Sequence, residues 1–264
     1  LLSSDTFSRV GPYSLWAVNN LPKEFTVNLD GQYFETVGFY DREGGESDIS
    51  DNNSFNEKDL EAKLVYGINK DFEAGIFFRG REVVSKTGDT ELTNNGLESY
   101  GVLAKYSFKP QKKWHYSAEV SYRNTAYTNS NFEAGAAPNN EVVLGDSGNE
   151  FHLQLKVGRY LSKNLALNTR GGFKIPPNDL SNEITYGAEL ALQFSVLALL
   201  GGVDGVYSLN TDRFSDNVEN KPSQNTGQTS LYNSINREFS NAYLGISHGQ
   251  GRYRMSLVGG QRLR

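Results

Sequence analysis

Leu60-Glu61-Ala62-Lys63-Leu64-Val65-Tyr66-Gly67-Ile68 is followed by Asn69-Lys70-Asp71 and then by Phe72-Glu73-Ala74-Gly75-Ile76-Phe77-Phe78-Arg79. Taken two at a time, the first run puts Leu60, Ala62, Leu64, Tyr66 and Ile68 on one parity and Glu61, Lys63, Val65 and Gly67 on the other. After the three-residue connection, Phe72, Ala74, Ile76 and Phe78 oppose Glu73, Gly75, Phe77 and Arg79. Successive strand side chains point to opposite faces, so each run makes a strand with one greasy and one wet face, and the pair makes a hairpin.

Working outward, the same alternation gives eleven strand-like runs, at roughly 23–40, 58–69, 71–86, 94–109, 112–128, 149–162, 164–176, 182–195, 197–210, 232–248 and 251–259. Tight connections (69–71, 110–111, 162–164, 195–196, 249–251) alternate with long polar ones (41–57, 87–93, 129–148, 177–181, 211–231). A sandwich with Greek-key crossings would not alternate so regularly. A rolled up-and-down sheet, with short turns at one end and long loops at the other, does. The apolar parities end in aromatics at both ends. Phe25, Phe72, Phe108, Trp114 and Phe194 lie near the tight turns, and Phe78, Tyr100, Tyr122, Tyr186 and Tyr207 lie toward the long loops. Eight residues of a strand tilted by ~40° rise roughly 20 Å, close to the ~25 Å apolar band of a membrane barrel.

The bulk properties agree. The chain has 264 residues, enough for one large all-β domain. Its mean hydropathy of -0.55 does not oppose a membrane barrel, in which only alternate residues meet lipid. It does oppose a helical membrane protein: the longest apolar stretch, Val196–Leu200, is far short of the ~20 residues a spanning helix needs. A net charge of -5 argues against a general nucleic-acid binder. The absence of Cys fits an oxidising compartment. Leu1-Leu2-Ser3-Ser4 is no signal peptide, so the chain reads as mature or trimmed.

On this pattern the chain resembles bacterial outer-membrane β-barrel proteins of the porin-like type, over about 23–259. The resemblance implies a transmembrane antiparallel up-and-down β-barrel occupying 23–264, with the tight turns periplasmic. Such barrels have even strand numbers, so about 12 strands are expected. Tyr13–Val18 could supply the twelfth; otherwise residues 1–22 form a periplasmic or lumenal segment, and a last strand lies beyond Arg264. The implied surroundings are outer-membrane lipid and lipopolysaccharide, with small solutes or ions inside and no nucleic acid. A homo-oligomer or an envelope partner is compatible with the exposed small residues.

The wet parity would line the lumen. Its basic members are Lys63, Arg79, Arg81, Lys105, Arg123, Lys156, Arg170, Lys174, Arg252 and Arg254. Its acids are Asp30, Glu61, Glu73, Glu119, Glu189 and Asp204. A basic excess on the wall favours anions. The expected function is therefore a porin-like channel for passive diffusion of small polar or anionic solutes, with no cofactor and no enzymatic activity. A closed structural barrel acting as a surface anchor is the alternative. His115-Tyr116-Ser117 has the spacing of the His-x-Ser pair of some barrel lipases, but parity turns it inward, without a defined orienting acid. Three scattered His and no Cys make no zinc site. The acidic stretch 41–59 offers carboxylates suited to divalent cations, or simply a solvated loop.

Overall fold

The computed structural model describes residues 15–35, 38–40, 46–48, 53–126, 144, 148–177, 180–210, 238–250 and 253–262. The strands in chain order are β1 (Phe25–Glu35), β2 (Gly38–Tyr40), β3 (Glu46–Asp48), β4 (Asn53–Gly67), β5 (Phe72–Thr87), β6 (Thr90–Ser107) and β7 (Trp114–Thr125). They continue with β8 (Asn149–Tyr160), β9 (Leu165–Ile175), β10 (Glu183–Phe194), β11 (Leu197–Ser208), β12 (Glu238–Gln250) and β13 (Tyr253–Arg262). Eleven of them form one sheet in the order β1-β4-β5-β6-β7-β8-β9-β10-β11-β12-β13, and β2 and β3 pair separately. Every pairing is antiparallel between neighbours in this order. This is the up-and-down barrel topology expected from the alternation, and the described strands curl into a half-barrel with β1 and β13 at its edges.

Local chemistry places the tight turns. Asn69 Oδ1 accepts from the backbone N–H of Asp71 and of Phe72, both at 2.9 Å. Ser162 Oγ accepts from Asn164 N–H at 3.2 Å and Leu165 N–H at 3.1 Å. Such side-chain acceptors stabilise a turn against continued extension. At the opposite end the structure departs from expectation. The span 87–93 is no long loop: β5 runs to Thr87, β6 starts at Thr90, and Gly88 makes the connection at φ 57°. β4 likewise starts at Asn53 rather than 58. β4, β5 and β6 therefore extend past the aromatic level as a tall polar tongue. With Phe55 and Leu92 as their only large apolar residues, Asn53–Asp59 and Thr90–Asn95 show no sustained alternation and lack the signature of a strand.

A register shift lies between Arg79 and Gly80. Arg79 pairs with Ser99 and Gly80 with Leu97, so Glu98 is an extra residue in β6. Glu98 and Ser99 are both fully buried, and parity is inverted on the Leu97 side. A bulge re-aims side chains in this way.

The two faces are chemically distinct. Apolar side chains stand exposed on the outer face, among them Leu29, Val102, Leu155, Leu190, Leu199, Leu244 and Leu257. Of the ten expected girdle aromatics, Phe25, Phe78, Tyr100, Phe108, Tyr122, Tyr186, Phe194 and Tyr207 are exposed there, while Phe72 and Trp114 are half-buried. Phe25 lies against Tyr66 with ring centroids 4.6 Å apart, and Arg159 caps the Trp114 ring at 4.8 Å.

Inner glycines make room for large neighbours. A methyl at Gly101 would overlap the Phe77 ring and the Tyr122 carbonyl, whereas one at Gly171 meets nothing within 4 Å. Gly101→Ala is therefore expected to destabilise by about 1–3 kcal/mol, and Gly171→Ala to be near neutral. Urea unfolding of the two variants checks this, and equal midpoints would contradict it.

Candidate functional site

Residues 15–20 identify the inner face. The twelfth strand sought in Tyr13–Val18 is not formed by its described part, Leu15–Val18, which joins no sheet. Instead Leu15 packs with Ala166, Ala191, Ala198 and Leu200 of β9, β10 and β11. A few residues later Asn20 N–H donates to Glu73 Oε2 of β5 at 2.7 Å, and Lys23 N–H donates to the Gly67 carbonyl of β4 at 2.7 Å. A segment this short can touch strands from β11 round to β4 only by crossing the concave side.

At the end where the tight turns lie, the wall contacts this segment through polar side chains. Trp16 N–H donates to Asn168 Oδ1 at 3.0 Å. Lys105 Nζ, paired with Glu73 at 2.7 Å, donates to the carbonyls of Val18 at 3.0 Å and Trp16 at 3.4 Å. Ser107 Oγ lies 2.9 Å from the Ala17 carbonyl and 2.7 Å from Asn19 Oδ1.

At mid-height the wall is a set of partly exposed pairs. Arg79 bonds Glu61 at 2.7 Å, and Lys63 reaches the same carboxylate at 3.2 Å. Lys156 bonds Glu119 at 2.6 Å. Arg170 lies 3.9 Å from Asp204 and stacks over the Trp16 ring at 5.1 Å. Asn241 Nδ2 donates to Asp204 at 3.0 Å, and Tyr243 O–H donates to Glu189 at 3.1 Å.

Toward the tongue the charges fuse into networks. Arg81 donates to both carboxylate oxygens of Asp59 at 2.6 and 2.7 Å and to the Leu144 carbonyl at 2.9 Å, and pairs with Glu57 at 2.9 Å. Next to it, Arg123 reaches Glu98 at 3.5 Å and Glu150 at 3.1 Å. Lys174 joins Glu150 at 2.8 Å to Glu183 at 3.8 Å. Bidentate geometry and shared partners hold these charges in one arrangement.

Thirteen of the sixteen expected lumen residues thus lie on the inner face with polar partners, and Asp30 is exposed in β1 opposite Glu61. Arg252 lies outside the described residues, and the backbone of Arg254 sits in β13 opposite Gly249. Sequence reading missed Glu57, Asp59, Glu98, Glu150 and Glu183. Glu57 fell in the presumed connection 41–57, Asp59 stood at the start of the run 58–69 and within the acidic stretch 41–59, and the bulge inverted the parity of Glu98. With them, the described wall carries ten paired acids against eight paired bases, so the expected basic excess does not hold there. Trp16 and Tyr243 were also missed as wall contacts.

The His115–Ser117 pair is not assembled: Ser117 is buried and its Oγ has no hydrogen-bond partner among the described residues. Those residues also hold no cluster of His, Cys, Asp or Glu fit to bind a metal. In the acidic stretch, 41–45 and 49–52 lie outside the described residues, and Asn53–Asp59 belong to β4.

No family model and no curated protein matches the chain. Among solved structures, the fold is similar to that of the COG4313 outer membrane channel from Pseudomonas putida F1, with a TM-score of 0.62 and 13% identity over 94% of this chain and 91% of that one.

Proposed function

We propose that this chain sits in a bacterial outer membrane and passes small polar solutes by passive diffusion, without a cofactor, catalysis or energy coupling. The observation that carries this reading is the division of one sheet into an outer face of exposed Leu, Val and aromatics and an inner face of charged and amide groups. The likeness to an outer membrane channel supports the same fold-level reading. Lipid suits the first face, and a water-filled lumen suits the second.

Selectivity follows from the pairing. Each described inner-face base has an acid within 4.0 Å, so no ring of one sign forms, and such rings are what bias permeation strongly. The anion preference expected from the basic residues alone gives way to weak selectivity. In an asymmetric-salt planar bilayer the open protein is expected to show a reversal potential near zero. Arg79→Glu together with Arg170→Glu should move it toward cation selectivity, and an unchanged potential would take both residues out of the pore.

The second reading, a closed structural barrel, is favoured by residues 15–20 lying across the inner face. Conductance steps from the native chain, or from the Leu15 variant below, support the channel. Silence from both, in folded and inserted protein, would replace it with the anchor.

A further inference from the structure

We propose that residues 15–20 form a displaceable strap that closes the channel at its tight-turn end, and that the conducting state is reached when the strap leaves the wall. This inference rests on the channel reading. The strap crosses the inner face: it opens as a tight turn, with Val18 N–H donating to the Leu15 carbonyl at 3.1 Å, and runs from the Leu15 pocket on β9–β11 to Glu73 and Lys105 on β5 and β6.

Its attachments suit release. The described strap makes no strand pairing. The wall holds it by a few hydrogen bonds, mostly to strap backbone: Asn168 and Glu73 each accept one N–H, and Lys105 and Ser107 each reach two strap oxygens. Lys105 and Glu73 are bonded to each other at 2.7 Å, so neither loses its charge partner when the strap departs.

The wall beneath the strap is also suited to water. Ser117 Oγ and Asn168 Nδ2 are buried with no hydrogen-bond partner among the described residues. Such groups are costly to keep dry and gain partners once water enters. A wall built as permanent core would be apolar along its whole length. Here the buried apolar side chains gather in the Leu15 pocket and in the Val65, Phe77 and Leu103 cluster, and the strap's other contacts are polar.

Leu15 is therefore the latch. It is 2% exposed, and a methyl added at Gly158 would come within 2.9 Å of its Cβ, so the pocket is shaped closely around it.

The test combines conductance with a direct report of the strap. The chain has two tryptophans, Trp16 and Trp114, so Trp114→Phe leaves Trp16 as the sole indole. In that background, Leu15→Asp is expected to increase acrylamide quenching of Trp16 and to raise the conducting fraction in planar bilayers by at least tenfold. Leu15→Ala, a milder change that keeps the segment apolar, should move both readouts in the same direction by a smaller factor.

Increased quenching with an unchanged, measurable conducting fraction would show that the strap does not close the pore, overturning the proposal while leaving the channel intact. Unchanged quenching in both folded variants would show that the strap is fixed, and would overturn it as well. Increased quenching with no conductance in any variant would instead remove the channel reading, and the strap proposal with it.

Discussion

Replacing Arg81 with Met is expected to destabilise the protein by about 3–5 kcal/mol, the cost of removing one partner from a buried charge network. The side chain is 9% exposed, as is that of Asp59. Arg81 satisfies both oxygens of Asp59, one oxygen of Glu57 and the carbonyl of Leu144. Met preserves much of the volume and none of the donors, leaving carboxylates crowded together in a partly dry site. The comparison is Lys58→Met. Lys58 and Glu82 lie just as close, at 2.6 Å, but are 59% and 40% exposed. Water and side-chain entropy reduce an exposed pair to about 1 kcal/mol or less. Urea unfolding in the same lipid or detergent should separate the variants severalfold. Arg81→Met combined with Asp59→Asn should recover part of the loss, because the second change removes an orphaned charge. If the two single variants cost the same, the network is not what holds β4 to β5 at this level.

The contrast between these pairs also shows which features a sequence of this kind discloses. Where lipid-facing and lumen-facing residues alternate, as in Leu60–Ile68 and Phe72–Arg79, the strand, its hairpin and its faces all followed from parity. The register bears this out, with Leu64 opposite Ile76 and Glu61 opposite Arg79. Beyond the apolar belt this signal disappears. Apart from Phe55 and Leu92, Asn53–Asp59, Thr87 and Thr90–Asn95 are polar, too few apolar residues to show an alternation, yet they pair in full register. Backbone hydrogen bonds and cross-strand charge pairs hold them, and neither leaves a period in hydrophobicity.

Parity also breaks down wherever one residue is inserted. The extra Glu98 puts two consecutive side chains on one face, and a strict count of two then assigns Glu98 to the outside. Leu15, Trp16 and Ala17 present a third kind of difficulty. Their apolar character is plain, but their partners lie 89 to 185 positions away, on β6, β9, β10 and β11, and no local pattern encodes that distance. The wall residues were found because they belong to strands. The strap crossing them could not be assigned its place, because its structure is set by the wall.

Leu190→Arg is expected to destabilise the inserted barrel by about 2–4 kcal/mol, the range for a cation at the midplane of a barrel's lipid face. Leu190 lies on the outer parity of β10, four residues from both Tyr186 and Phe194, the aromatics that bracket its strand. Its cross-strand neighbours are Leu167 and Gly201, neither of which offers a counter-charge. An arginine there would have to reach past one of the aromatic levels to find water.

Gln154→Arg provides the control. Gln154 is on the inner parity of β8, opposite Glu119 and Gly172, where a cation meets a carboxylate on the polar face, so a change within about 0.5 kcal/mol is expected. Reversible urea unfolding from liposomes measures both. A soluble protein would give the opposite order, because Leu190 is 48% exposed and arginine at an exposed site in water is nearly free of cost, while a new cation in a packed interior is not. A Leu190→Arg variant as stable as the native chain would therefore count against the membrane assignment, whatever its conductance.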